Sequence, residues 1–120
     1  MRYMVLLKSG QTSSAPPEGL MEGIGKLGEE AMKSGALLDT AGLFPSAAGA
    51  RVTVASGDLS VTDGPFTEAK EMISYALWEV RSKEEAIEWT SRFMKLHRDL
   101  WDGWEGEADV LQVFEPPPGA

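Results

Sequence analysis

Apolar positions recur along this chain with two periods, and the switches between them mark out its elements. Residues 2–8 alternate as a strand, with Tyr3, Val5 and Leu7 on one face and Met4, Leu6 and Lys8 on the other. Both sets are mostly apolar, so the strand is expected to be covered on both faces. The polar run 9–15 breaks the pattern. Pro16 and Pro17 then suit the first turn of a helix, where a missing N–H costs little, and Glu18 favours the same end through the helix dipole. Leu20, Ile24, Leu27 and Ala31 form the helical stripe, with Met21 and Met32 beside it. Gly19, Gly23, Gly25 and Gly28 each weaken this helix by up to about 1 kcal/mol relative to Ala. Either tertiary packing holds it, or the glycines allow close approach to a sheet. Gly35 reads as its C-cap, after Lys33.

Residues 36–44 form a second strand pattern, with Gly42 suggesting a bulge or bend. After a loop at 45–49, Arg51 to Ala55 alternates as a half-buried strand. Ser56-Gly57-Asp58 connects it to a return strand at 59–62. The strongest strand pattern is 72–80, in which Ile73, Tyr75 and Leu77 face one way and Met72, Ala76, Trp78 and Val80 the other. Helices can cover one of these apolar faces, and a second copy of the same sheet is the simplest cover for the other. Ser82-Lys83-Glu84-Glu85 is a capping box opening a second helix. Ala86, Trp89, Phe93, Leu96 and Leu100 make its buried stripe, with Ile87 and Met94 beside it and Arg92, Lys95 and Arg98 on the remaining face. Asp102-Gly103 ends it, 104–107 connects, and 108–114 is a final strand. Residues 116–120 are a proline-rich tail expected to be disordered.

The order β-α-β, hairpin, β-α-β predicts an α+β fold of the split βαβ, ferredoxin-like plan, with an antiparallel sheet, two helices and an inserted β-hairpin. The 120 residues fit one domain, over 1–115, with a core that needs no metal or disulfide staple. There is no cysteine, hence no thiol nucleophile and no Cys-based metal site. The net charge of -8 disfavours nucleic acid and anionic membranes as partners, since both reward clustered Lys and Arg. No apolar run approaches the ~20 residues of a membrane span, and the N-terminal run is too short for a signal peptide. A cytoplasmic protein is expected.

Chemistry concentrates near the midpoint, in Asp63-Gly64-Pro65-Phe66-Thr67-Glu68-Ala69-Lys70-Glu71. Asp63 can act as general acid or base where a nonpolar pocket raises its pKa, and an Asp before Gly-Pro also caps its own turn. Pro65 stiffens the turn, and backbone geometry beside a proline calls for Gly64. Phe66 reads as a core or dimer contact, and Glu68, Lys70 and Glu71 as a solvated charge run. His97 is the sole histidine, expected at the surface of the second helix or as a partner of its C-terminal dipole. Tyr3, Arg51, Tyr75 and Trp78 are the side chains to look for around a ligand pocket, with a dimer core as the alternative place for them. The acidic residues after Asp99 lack calcium-loop spacing, so no metal is expected, and without a Walker loop or dinucleotide fingerprint no cofactor is expected either.

The nine-residue turn resembles the signature of the DGPF, or YCII-related, proteins, as does the opening Arg2-Tyr3-Met4-Val5-Leu6-Leu7. Trp101-Asp102-Gly103-Trp104-Glu105-Gly106-Glu107 resembles one branch of that family. The resemblance covers residues 1–115 and implies a dimeric α+β barrel of ferredoxin-like subunits joined sheet to sheet. Relatives include isomerases and dehalogenases acting on muconolactones, and some members lie beside genes for extracytoplasmic-function sigma factors. An Asp–His pair is thought to serve some members. Asp63 matches the Asp, and the histidine of the N-terminal part of that pattern is missing here. Two functions follow as expectations. One is a homodimer with a small-molecule site between its sheets and acid–base catalysis at Asp63. The other is a non-enzymatic dimeric interaction module, in a sigma-factor-linked pathway.

Overall fold

A computed structural model describes residues 1–10, 15–66 and 69–115. Among these residues the chain runs β1 (Arg2–Ser9), α1 (Glu18–Lys33), β2 (Leu37–Gly42), β3 (Ala50–Ala55), β4 (Asp58–Asp63), β5 (Glu71–Glu79), α2 (Lys83–Leu100) and β6 (Glu107–Gln112), with one 3₁₀ turn at Ser46–Ala48. Four strands form an antiparallel sheet in the order β2-β5-β1-β6, and β3 and β4 pair only with each other. This α+β arrangement is compatible with the ferredoxin-like plan, because β1 and β5 are the central strands and a helix follows each of β1 and β5. Thr67, Glu68 and the proline-rich tail lie outside the described residues.

Alternation along β1 decides the faces. Tyr3, Val5, Leu7 and Ser9 are buried, while Met4, Leu6 and Lys8 are half-buried. Cross-strand partners share a face, so Trp78 opposite Tyr3 and Ala76 opposite Val5 also point to the helices. The core gathers Tyr3, Val5, Ala31, Leu37, Trp78 and Val80 there. The opposite face carries Met4, Leu6, Tyr75 and Leu77, with Leu111 and Asp109 from β6, and no helix among the described residues covers it.

Bulges account for two departures from simple alternation. β5 was expected to place Ile73 with Tyr75 and Leu77. The β1–β5 register instead skips Ile73, pairing Leu7 with Ser74 and Lys8 with Met72. Ile73 thus leaves the open face and lines a helix-side cavity. In β2 the irregularity falls at Leu38 rather than at Gly42, which pairs regularly with Ser74. The extra residue lets Leu37 enter the core while Asp39 turns to the open face.

Helix ends follow the sequence closely. α1 starts at Glu18 with Pro17 in the N-cap position, and Gly35 takes φ 82° after it. Of its four glycines, only Gly23 meets a neighbour where a Cβ would sit, and that neighbour is Leu96 of α2 rather than the sheet. Ser82 Oγ accepts from the Glu85 N–H at 3.1 Å, and the Glu85 carboxylate accepts from the Arg81 N–H. The buried line of α2 is rotated from the expected stripe. Thr90 and His97 are buried and Leu100 is exposed. Each finds one partner within the helix: Thr90 Oγ1 donates to Ala86 O, and His97 Nδ1 lies 3.0 Å from Phe93 O.

Candidate functional site

The Asp63–Phe66 corner joins the β3–β4 hairpin to the sheet. Ser56 and Gly57 both take positive φ, as a two-residue hairpin turn of the mirror-image type requires, and this fixes the register Val52–Val61 and Val54–Leu59. At the other end, Gly64 N–H donates to Gly49 O at 2.9 Å, and the Gly64–Pro65 peptide is cis. Gly64 is required by contact rather than by φ. A Cβ there would lie 1.6 Å from the Ser46 carbonyl oxygen. Ser46 Oγ donates to Glu71 Oε1 at 2.7 Å and accepts the Phe66 N–H at 3.0 Å. The corner is therefore a clasp of Ser46, Phe66 and Glu71 that sets where the hairpin leaves the sheet.

A groove of about 820 Å³ opens beside this clasp on the open side of the sheet. Phe44, Arg51, Phe66, Lys8 and Lys70 are among its walls, and the Arg51 guanidinium lies 4.1 Å from the Phe66 ring centroid. Lys8 pairs with Asp109 at 2.7 Å, which holds its pKa above the usual lysine value, and Lys70 pairs with Glu107. The groove end is thus charged but close to balanced.

The five residues expected around a site fall into different places. Arg51 lines the groove. Asp63 is exposed at the end of β4, borders none of the cavities described, and among the described residues its carboxylate takes no hydrogen bond. Tyr75 lies on the open face and donates to Asp39 Oδ2 at 2.9 Å, a bond that raises the phenol pKa by favouring the protonated form. Tyr3 and Trp78 are core residues under the helices, and Trp78 stacks on Trp89 with centroids 5.4 Å apart. Tyr75 and Trp78 differ by an odd number of positions, so one strand cannot present both to the same face.

Sequence reasoning missed the helix-side cavity. About 460 Å³ lies between α1, the C-terminal half of α2 and the β2–β5 edge, walled mainly by apolar side chains. His97, expected at the surface, lines it and is only 4% exposed. Burial pushes its imidazole pKa down. The reason for the burial is Trp104, whose ring folds back to a centroid distance of 4.6 Å from His97. The only local signal was Gly106, where a Cβ would meet the Trp104 ring at 2.2 Å. Among the described residues no group of three or more His, Asp or Glu side chains is gathered as metal ligands, and no helix is long and apolar enough to cross a membrane.

Fold and corner together define an α+β protein with one helix-covered and one open sheet face. The family model of the YCII-related domain matches residues 1–94, and the chain belongs to that family. No curated protein matches it.

Proposed function

We propose that this YCII-related protein is a homodimer whose sheets meet through their open faces, with a small-molecule site in the groove beside the Asp63–Phe66 corner. The observation that supports it is the uncovered row Met4, Leu6, Tyr75 and Leu77, four large side chains on the central strands without a helix over them. A sheet with one bare apolar face is an association surface. The acidity of the chain does not oppose this contact locally, because Lys8–Asp109, Lys70–Glu107 and Arg2–Glu79 pair charges at its margins.

In such a dimer the groove gains a second wall, and Arg51 with Phe66 and Phe44 suits a small molecule carrying both a negative charge and a flat apolar part. Acid–base work at Asp63 requires the second copy to enclose it, because an exposed carboxylate offers little beyond what solvent offers. Light scattering should give twice the 13.0 kDa chain mass. A thermal-shift screen of small carboxylic acids and lactones on wild type, Arg51→Ala and Asp63→Asn then tests the site. Stabilisation lost in Arg51→Ala supports the groove, and stabilisation by no ligand in any variant refutes it.

The reading as a non-enzymatic interaction module is favoured by one feature, the apolar side of the β3–β4 hairpin. It differs in expecting that side to stay open in the dimer. Hydrogen exchange at Val52, Val54, Leu59 and Val61 separates the two, slow exchange meaning a covered hairpin.

A further inference from the structure

We propose that the helix-side cavity beside His97 is a second ligand site, for a hydroxylated aromatic molecule whose O–H donates to His97 Nε2. It adjoins the groove, with Leu43, Pro45, Glu71 and Met72 walling both, and does not depend on the dimer. Three observations converge on it. The first is the cavity itself, whose 460 Å³ is ample for a fused-ring phenol and lies within the size range of small-molecule sites.

The second is the state of the imidazole. Nδ1 faces the Phe93 carbonyl at 3.0 Å, and a carbonyl can only accept, so Nδ1 carries the proton. Burial favours the neutral ring. Nε2 is therefore a bare acceptor, and among the described residues it has no hydrogen-bond partner, although the residue as a whole is buried. It is not among the fully enclosed atoms that lack partners, which are Trp78 Nε1 and Trp104 Nε1, so Nε2 keeps access to the cavity. An acceptor on the cavity wall is open to a donor that enters the cavity in place of water.

The third is the chemistry of the wall. Phe93 and Trp104 pack against the two sides of His97 at 4.7 and 4.6 Å, and Trp101 stacks on Trp104 at 6.1 Å. This aromatic row, facing Leu20 and Ile24 of α1, favours a flat ring over a flexible chain. Of the other polar side chains at the wall, Ser74 makes no side-chain hydrogen bond among the described residues, and two are engaged. Thr40 Oγ1 donates to Tyr75 O, and Glu71 Oε1 accepts from Ser46. No cation lines the cavity among the described residues, so a neutral phenol fits it better than a carboxylate.

The single histidine makes the test direct, because ¹⁵N-histidine labelling gives one imidazole. The free protein should show Nδ1 protonated and Nε2 unprotonated. Addition of 2-naphthol should shift Nε2 and quench tryptophan fluorescence. Naphthalene, lacking the donor, should bind about tenfold more weakly, the cost of one hydrogen bond of about 1.4 kcal/mol. His97→Phe, which keeps the ring and loses the acceptor, should bind both probes with similar affinity. Circular dichroism of that variant checks whether the fold is retained, and His97→Gln serves as the second variant should Phe disturb it. An Nε2–H tautomer in the free protein overturns the proposal. So does an absence of binding by either probe at millimolar concentration, or a preference for 2-naphthol that survives in both variants.

Discussion

Replacing Gly64 by Ala tests whether the Asp63–Phe66 corner is held by contact. The new Cβ would stand 1.6 Å from Ser46 O and 2.4 Å from Ser46 C, where 3.0 Å is the practical minimum. Both neighbours are backbone, so no side-chain rotation relieves the clash. The Ser46 peptide or the Gly64 peptide must move by more than an ångström. Four hydrogen bonds depend on their present position: Gly49 N to Ser46 O and Gly64 N to Gly49 O, both 2.9 Å, Phe66 N to Ser46 Oγ, and Ser46 Oγ to Glu71. At about 1 kcal/mol for each bond, and with one spared by relaxation, the loss is about 3 kcal/mol. With a urea slope of about 2 kcal/mol/M for a small domain, the midpoint should fall by about 1.5 M at fixed protein concentration. Hydrogen exchange should quicken first in β3 and β4, which the corner ties down, and less in α2. Gly25→Ala is the control, since nothing lies within 4 Å of its Cβ position and helix propensity favours Ala. A Gly64→Ala protein within about 0.5 kcal/mol of wild type, with unchanged exchange in the hairpin, would show that the Ser46 contact does not constrain the corner.

Three further outcomes follow from the faces and burial described. Leu6→Glu places a charge at the centre of the open face, and light scattering should then give the mass of one chain, 13.0 kDa; an unchanged doubled mass would place the dimer contact elsewhere. Because the folded pKa of His97 is depressed, the unfolded chain takes up the proton first, so stability should fall as pH drops through about 6.5 and level off once the folded state is protonated too. The difference between wild type and His97→Phe isolates this step, and a pH-independent difference would contradict it. The double change Val52→Thr and Val61→Thr keeps shape and β-propensity while removing apolar surface, so a covered hairpin should lose about 1–2 kcal/mol of dimer stability and an uncovered one almost none, as read from concentration-dependent melting.

Element order and type were legible because the periods are clean. Every strand and helix expected from the pattern is present, with ends displaced by a residue or two. The faces were less legible. Ile73 and Leu38 each spend one residue on a bulge, which shifts parity locally, and a count of alternating positions has no signal for that. His97 was read from its place near the end of an amphipathic helix, whereas its burial depends on Trp104, seven residues on and outside the helix. That contact is tertiary, and only the paired Trp104 and Gly106 hint at it. The Asp63 turn stands where the sequence put it, between hairpin and central strand. Its side-chain chemistry could not be judged from sequence, because exposure of the carboxylate depends on where the hairpin projects.

That projection is the strongest physical reason to look for a second copy. β3 and β4 alternate over their four central pairs, and the end pair Ala50–Asp63 puts one carboxylate on the valine side. Val52, Val54, Leu59 and Val61 share one side, and Arg51, Thr53, Ser60 and Thr62 share the other. The apolar four are 63% to 73% exposed, and the hairpin makes no extensive contact with any other described element. A lone two-stranded hairpin is marginal in water, so a polar sequence on both sides would serve a free arm better. The segregation of the central pairs instead matches a surface meant to be covered. The Ser46–Phe66–Glu71 clasp anchors the arm to β5, the same strand that presents Tyr75 and Leu77 on the open face. A partner that covered the sheet would therefore come within reach of the arm. Such a contact would cover the bare sheet face and close the groove at Arg51 beside it.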